Sequence, residues 1–137
     1  MSCTIHVDAV APSAVQEAEA FKVTWTLALA DESELRTVTV TLLTDDARVV
    51  LSDQSTHDSP PERALPVVPG TKVTKSSMVV LHRRRGLIDE TSRDGTGSPV
   101  AILARVRNER DETLAHGGGA EVTVHGLARR PTPRIFA

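Results

Sequence analysis

The sequence predicts an all-β sandwich, in which two sheets of antiparallel strands pack face to face around one core. Three observations support this class. Apolar and polar residues alternate with a period of two in most apolar segments, as in strands buried on one face. Val and Thr, which favour strands, dominate those segments. About seven such segments follow one another at short intervals, which is typical of a sandwich.

The first predicted strand covers Cys3 to Ala9 and is ended by Pro12 and Ser13. The segment from Ala14 to Ala20 contains good helix formers after a capping-box pattern. It is only about two turns long, and isolated helices of that length are marginal. We therefore expect a loop or a single helical turn there.

Residues 21–29 give the clearest alternation in the chain and predict a central strand. Trp25 lies on its apolar face and is the expected centre of the core. The residues predicted to form that core are Phe21, Val23, Trp25, Leu27, Val40, Ile102 and Val122.

The remaining elements follow the same pattern. Residues 37–42 and 48–51 surround the turn Asp45-Asp46, which predicts a hairpin. Later strands are expected at 73–81, 100–107 and 121–125, with a charged turn at 108–112. Gly117-Gly118-Gly119 is expected to interrupt a short strand that begins at Leu114.

Length and composition narrow the function classes. The chain has 137 residues, which fits one domain, and 39% of them are hydrophobic. A net charge of −2 and a pI of about 6.2 give no electrostatic reason to expect nucleic acid or an anionic membrane as the main partner. Aromatic residues make up 2%, which disfavours base stacking. No apolar run reaches the ~18 residues of a membrane span, and no export signal is visible, so we expect a protein of the cytoplasm or of a particle.

Three irregular segments are expected, at 52–70, at 83–98 and in the C-terminal tail. We divide the chain into a sandwich domain at 1–126 and an extended Pro/Arg tail at 127–137. Long loops in a compact domain are usually functional or disordered. Three short segments (83–85, 105–110 and 129–134) hold nine of the 16 basic residues. The predicted interaction residues are Arg83, Arg84, Arg85, Arg129, Arg130, Arg134, Ile135 and Phe136.

No catalytic or metal site is predicted, and no cofactor. His116-Gly117-Gly118-Gly119 matches the oxyanion-hole motif of some esterases, but none of the 18 residues after Gly119 forms the required nucleophile elbow. The glycines are interpreted as a flexible connection or as backbone close to a partner. His6 and His125 would approach each other only if the terminal strands pair. The acidic turns lack the regular oxygen spacing of a calcium loop.

Two stretches resemble bacterial immunoglobulin-like modules of adhesion and cell-surface repeats. VAPSAVQEAEAFKVTWTLAL at 10–29 is similar to their Pro-Ser kink, turn and Trp-containing strand. PVVPGTKVTKSSMVV at 66–80 resembles their Pro-Gly turn before a later strand. With SPVAILARVRNERDETLA at 98–115, the order of elements is similar over most of the chain. The resemblance implies an immunoglobulin-like sandwich and no functional residues.

These observations predict a non-enzymatic structural or protein-interaction module. It would be a subunit or decoration component of a larger assembly, such as a phage virion or a secretion-type particle. Its loops and tail would contact a protein partner or further copies of itself. One alternative is a ligand-binding or adhesion module that recognises a glycan or calcium. Another is an accessory domain that binds nucleic acid or an acidic partner through its arginines.

Overall fold

Nine strands form two facing sheets in a computed structural model that describes residues 3–56, 59–83 and 97–126. The strands are β1 Cys3–Ala11, β2 Ala14–Val15, β3 Phe21–Leu29, β4 Thr37–Thr44, β5 Val49–Asp53, β6 Glu62–Pro66, β7 Lys72–Arg83, β8 Ser98–Arg107 and β9 Thr113–Val124. One sheet has the order β1-β3-β7-β5 and the other the order β2-β9-β8-β4-β6. Paired strands are antiparallel except for β2 and β9, which run parallel. The predicted all-β sandwich is confirmed.

The core lies between the two sheets, with β3 and β8 at its centre. Along β3, every second side chain from Phe21 to Leu29 is buried. Ser98 to Val106 alternate in the same way along β8. The side chains buried most completely include Trp25, Phe21, Leu27, Ile102, Val23, Val40 and Val122. The period of two in the sequence therefore corresponds to one face on the core and one face towards solvent.

The predicted hairpin between residues 37–42 and 48–51 is wrong, because β4 and β5 belong to different sheets. The connection between them crosses from one sheet to the other. Its turn is held by the buried Asp46 carboxylate, which accepts hydrogen bonds from the backbone N–H and the guanidinium of Arg48. Val49 and Leu51 then reach the core from the opposite side. Two alternating segments joined by a turn are compatible both with a hairpin in one sheet and with a connection between two sheets. The sequence pattern alone therefore did not distinguish these two arrangements.

Two segments expected to be irregular are strands. The range 52–70 contains β6, which pairs with Thr37 to Thr41 of β4. Gly117 to Gly119 do not interrupt a strand but lie within β9, at a bulge opposite Leu103 of β8. Their small size has a packing reason. A Cβ atom at Gly117 would overlap the carbonyl oxygen of Ile5, and one at Gly119 would collide with His6 and with the carbonyl oxygen of Val7.

The glycines therefore let β9 approach the backbone of β1 and close one side of the sandwich. The other side is open. β5 pairs only with Val79 to Arg83 of β7, so in the described part of the chain no strand pairs with Lys72 to Ser77 on that edge. Lys75 is opposite Trp25 in the register and lies on the core-side face of this open edge.

The two ends of the sandwich differ. We call one the loop end, where the β3–β4 loop (30–36), the β6–β7 loop (67–71) and the β8–β9 turn (108–112) lie. Backbone hydrogen bonds join the first two, from Gly70 to Ala30 and from Val67 to Arg36. We call the opposite end the exit end, because the described chain stops there at Arg83 and at Gly126.

Candidate protein-binding surfaces

The exit end joins the last residues of β7 to those of β9. The guanidinium of Arg83 donates a hydrogen bond to the carbonyl oxygen of Gly126 at 3.1 Å. The backbone N–H of Arg83 donates to the Glu17 carboxylate at 2.6 Å, which adds the turn before β3 to the same contact. Arg83 thus holds the end of β7 close to Gly126, which follows β9, at this end of the sandwich.

Of the predicted interaction residues, only Arg83 belongs to the described part of the chain. Those outside it are Arg84, Arg85, Arg129, Arg130, Arg134, Ile135 and Phe136. The two basic segments that contain them continue directly from Arg83 and from shortly after Gly126. The third basic segment, Arg105 to Arg110, lies on β8 and in the turn at the loop end.

A cleft of about 580 Å³ opens at the loop end, between residues 32–37 and residues 108–110. Leu35 lies in it half-buried and packs against the hydrophobic core. Charged and polar residues surround Leu35. A concave surface with an apolar centre and a polar rim is the usual form of a binding site. The sequence did not predict this cleft, because it depends on two distant loops meeting at one end of the sandwich.

Both walls of the cleft are turns fixed by their own side chains. The Ser33 hydroxyl, in a residue only 7% exposed, accepts a hydrogen bond from the Leu35 N–H at 3.2 Å. Across the cleft, the Asn108 side-chain carbonyl accepts from the N–H groups of Arg110 and Glu112 at 2.9 and 3.0 Å. Short polar side chains that bond the following backbone in this way stabilise turns. The walls are therefore shaped before anything binds.

The charges that line the cleft are not neutralised within the fold. Glu32, Glu34 and Glu109 are exposed carboxylates, and Arg36 and Arg110 are exposed guanidinium groups. Among the described residues, none of these five side chains takes part in an ion pair. The cleft therefore carries an excess of one negative charge and leaves all five groups available to a ligand.

Arg107, by contrast, uses both of its terminal nitrogens in contacts next to this cleft. Its guanidinium pairs with Glu62 of β6 and with Asp111 of the β8–β9 turn, and donates to the Thr41 hydroxyl at 3.2 Å. Only 17% of its side chain is exposed. This network ties β8, β6 and β4 to the cleft wall, so Arg107 stabilises the site and is not free to bind a partner.

The structure does not bring His6 and His125 together. His6 lies against Gly119. His125 follows the end of β9, where its backbone N–H donates a hydrogen bond to the carbonyl oxygen of Val15. Six residues of extended strand, about 20 Å, separate Gly119 from His125. Within the described ranges, no group of three His, Cys, Asp or Glu side chains is placed to hold a metal ion. Among the same residues, no helix is long and apolar enough to cross a membrane.

Cys3 is buried at the start of β1 and is 3% exposed. Burial raises the pKa of its thiol, and the positive N-terminal amine opposes that rise only in part. A protonated, enclosed thiol is a poor nucleophile. Cys3 therefore acts as a small apolar side chain of the core.

No protein-family model and no curated protein matches the sequence. Solved structures do match the fold. The CARDB domain of a Pyrococcus furiosus protein, solved in complex with di-metal ions, has a TM-score of 0.53 and 8% identity, over 89% of this chain and 91% of that one. The alkylpurine DNA glycosylase AlkC of Pseudomonas fluorescens, bound to DNA with an abasic site analog, has a TM-score of 0.50 and 13% identity. That match covers 90% of this chain and 30% of the glycosylase.

A cohesin–dockerin complex from Clostridium thermocellum also matches, with a TM-score of 0.44 and 8% identity over 94% of this chain and 95% of that one. At such identities the likeness concerns the fold alone. The match to the CARDB domain, with a TM-score of 0.53, confirms the resemblance to immunoglobulin-like modules at that level.

Proposed function

We propose that the protein is a non-enzymatic interaction module that serves as a subunit or decoration component of a larger assembly, such as a phage virion or a secretion-type particle. The observation that carries this proposal is the contact between Arg83 and Gly126. It places the starting points of two basic segments, 83–85 and 127–137, at one end of a rigid sandwich. The combined segments carry six arginines, which suit an acidic protein surface.

The sequence of the tail supports the same proposal. Pro131 and Pro133 fix their own φ angles and disfavour a helix, so an extended arm loses little conformational entropy when it binds. Ile135 and Phe136 provide apolar groups that a partner groove would bury. Extended arms of this kind dock by adding a strand or by filling a groove.

Deletion of residues 127–137 tests the proposal. In the native source, we expect the intact chain to purify within a species much larger than 14.7 kDa, and the truncated chain to be lost from it. The truncated chain should keep its thermal unfolding midpoint, because β9 ends at Val124 and the Arg83–Gly126 contact is retained. A second variant, with Ile135 and Phe136 replaced by Ser, separates apolar docking from charge. Full incorporation of the truncated chain would refute the proposal.

A further inference from the structure

The charges of this molecule are distributed unevenly between its two ends. At the loop end, the cleft carries Glu32, Glu34 and Glu109 against Arg36 and Arg110, a net charge of −1, and none of the five is in an ion pair among the described residues. At the exit end, the chain continues into residues 127–137, which contain three arginines and no acidic residue. The net charge of −2 conceals this separation. Opposite charges at opposite ends favour contact between the head of one molecule and the tail of another.

We propose that the cleft at the loop end binds residues 129–134 of a second copy of this chain, so that copies associate head to tail. This inference rests on the proposed function and names the partner of the cleft. The segment is Arg-Arg-Pro-Thr-Pro-Arg. Its guanidinium groups match the carboxylates of Glu32, Glu34 and Glu109, and arginine is the side chain best suited to such pairs.

The backbone of the segment fits the cleft as well. Two prolines bias it towards an extended conformation and remove two N–H groups, so its backbone offers six carbonyl acceptors against four N–H donors. The Ser33 hydroxyl is the buried polar group of the cleft, and it uses its oxygen as an acceptor for the Leu35 N–H. Its own O–H hydrogen has no acceptor among the described residues, and a carbonyl of the bound segment would supply one.

Covalent geometry requires that the two partners be separate copies. Arg129 and Arg130 are three and four residues beyond Gly126, and a fully extended chain covers at most about 14 Å in four residues. β8 and β9 pair from Ser98–Val124 at the exit end to Arg107–Thr113 at the loop end, and the ten residues of β8 give this distance as about 30 Å. The cleft lies beyond that second pair, so no copy can place the whole segment in its own cleft. A contact of this heterologous kind produces chains or rings of copies.

Charge reversal tests the pairing with the full-length chain in sedimentation velocity. We expect the wild-type protein to associate in a concentration-dependent manner beyond a dimer, and more weakly at high salt. The cleft variant Glu32→Arg/Glu34→Arg and the tail variant Arg129→Glu/Arg130→Glu should each associate at least about tenfold more weakly. Glu121→Arg on β9 and Arg63→Glu on β6 are exposed control variants that change charge outside both surfaces and should associate like the wild type.

Mixing the two variants gives the decisive result. The intact cleft of the tail variant should bind the intact tail of the cleft variant, and the reversed cleft should accept the reversed tail, so the mixture should regain the association that each variant alone has lost. A wild-type protein that stays monomeric, or a mixture that regains no association, would overturn the inference. The proposed function would survive that outcome if deletion of 127–137 still removed the chain from its native assembly, because the tail would then bind a different protein.

Discussion

At the scale of single residues, Trp25 is the side chain on which the core depends most. It is fully buried, and its indole Nε1–H finds no acceptor among the described residues. Trp25 therefore stabilises the fold through apolar contacts with the surrounding strands, and the unsatisfied N–H donor lowers that stabilisation. Removal of a large buried aromatic side chain leaves a cavity that a rigid core fills only in part.

Trp25→Ala should therefore lower the free energy of unfolding by about 3–5 kcal/mol, measured in urea. Trp25→Phe should cost less, about 1–2 kcal/mol, because it keeps much of the volume and removes the unsatisfied donor. A loss below about 1 kcal/mol for the alanine variant would contradict the central position assigned to this residue.

A substitution at Gly117 tests whether β9 approaches β1 closely enough to close one side of the sandwich. A methyl group there would meet the backbone of Ile5, which cannot rotate away, so Gly117→Ala should lower the free energy of unfolding by about 2–3 kcal/mol. Gly118→Ala is the matched control. Its Cβ would meet the flexible end of Leu103 at 3.0 Å and the carbonyl oxygen of Ile102 at 3.6 Å, an ordinary contact distance, so the cost should be about 1 kcal/mol or less. Equal losses in the two variants would show that β9 does not approach β1 as described.

At the scale of elements, local pattern predicted single strands well and their neighbours poorly. The alternation around Trp25 located β3 correctly, because one buried face is a property of the segment itself. The assignment of β4 and β5 to opposite sheets depends on the buried Asp46–Arg48 turn and on what Val49 meets across the core. β6 was not predicted, for a similar reason. It is a short edge strand that buries little besides Leu65, so its alternation is weak.

The same difference between local pattern and tertiary contact explains which parts of the candidate sites the sequence predicted. The arginine clusters can be recognised in the sequence itself, whereas the cleft forms only when the loops around Ser33 and Asn108 meet in the folded chain. The charged turn at 108–112 was a local signal of one wall. Nothing local indicated that the β3–β4 loop would form the other.

Arg107 offers a test at this scale, because it links three strands to the cleft wall. Arg107→Met should lower the free energy of unfolding by about 1–3 kcal/mol, since it leaves Glu62 and Asp111 without their partner. β6 should become the first element to lose protection in hydrogen exchange. Arg107→Lys keeps the charge but lacks the planar fork, so an intermediate loss is expected. Unchanged protection of residues 62–66 in the methionine variant would show that β6 does not depend on this network.

At the scale of the whole molecule, the two loops of the cleft lie at one end, and Arg83 and Gly126, which precede the basic segments in the sequence, lie at the other. A sandwich is suited to this separation, because its strands span the full length of the domain and hold the two ends apart. β9 alone covers that length. The cleft is thereby held about 30 Å from the end of the sandwich that contains Arg83 and Gly126.

Lys75 disfavours one kind of contact between molecules, which is the addition of a strand at the open edge of β7. An unpaired β-strand edge is a template on which foreign strands add and from which aggregates grow. At the open edge of β7, a strand added from another molecule would have to dehydrate the ammonium group of Lys75, which lies on the core-side face. The charge thereby disfavours the addition of foreign strands at this edge.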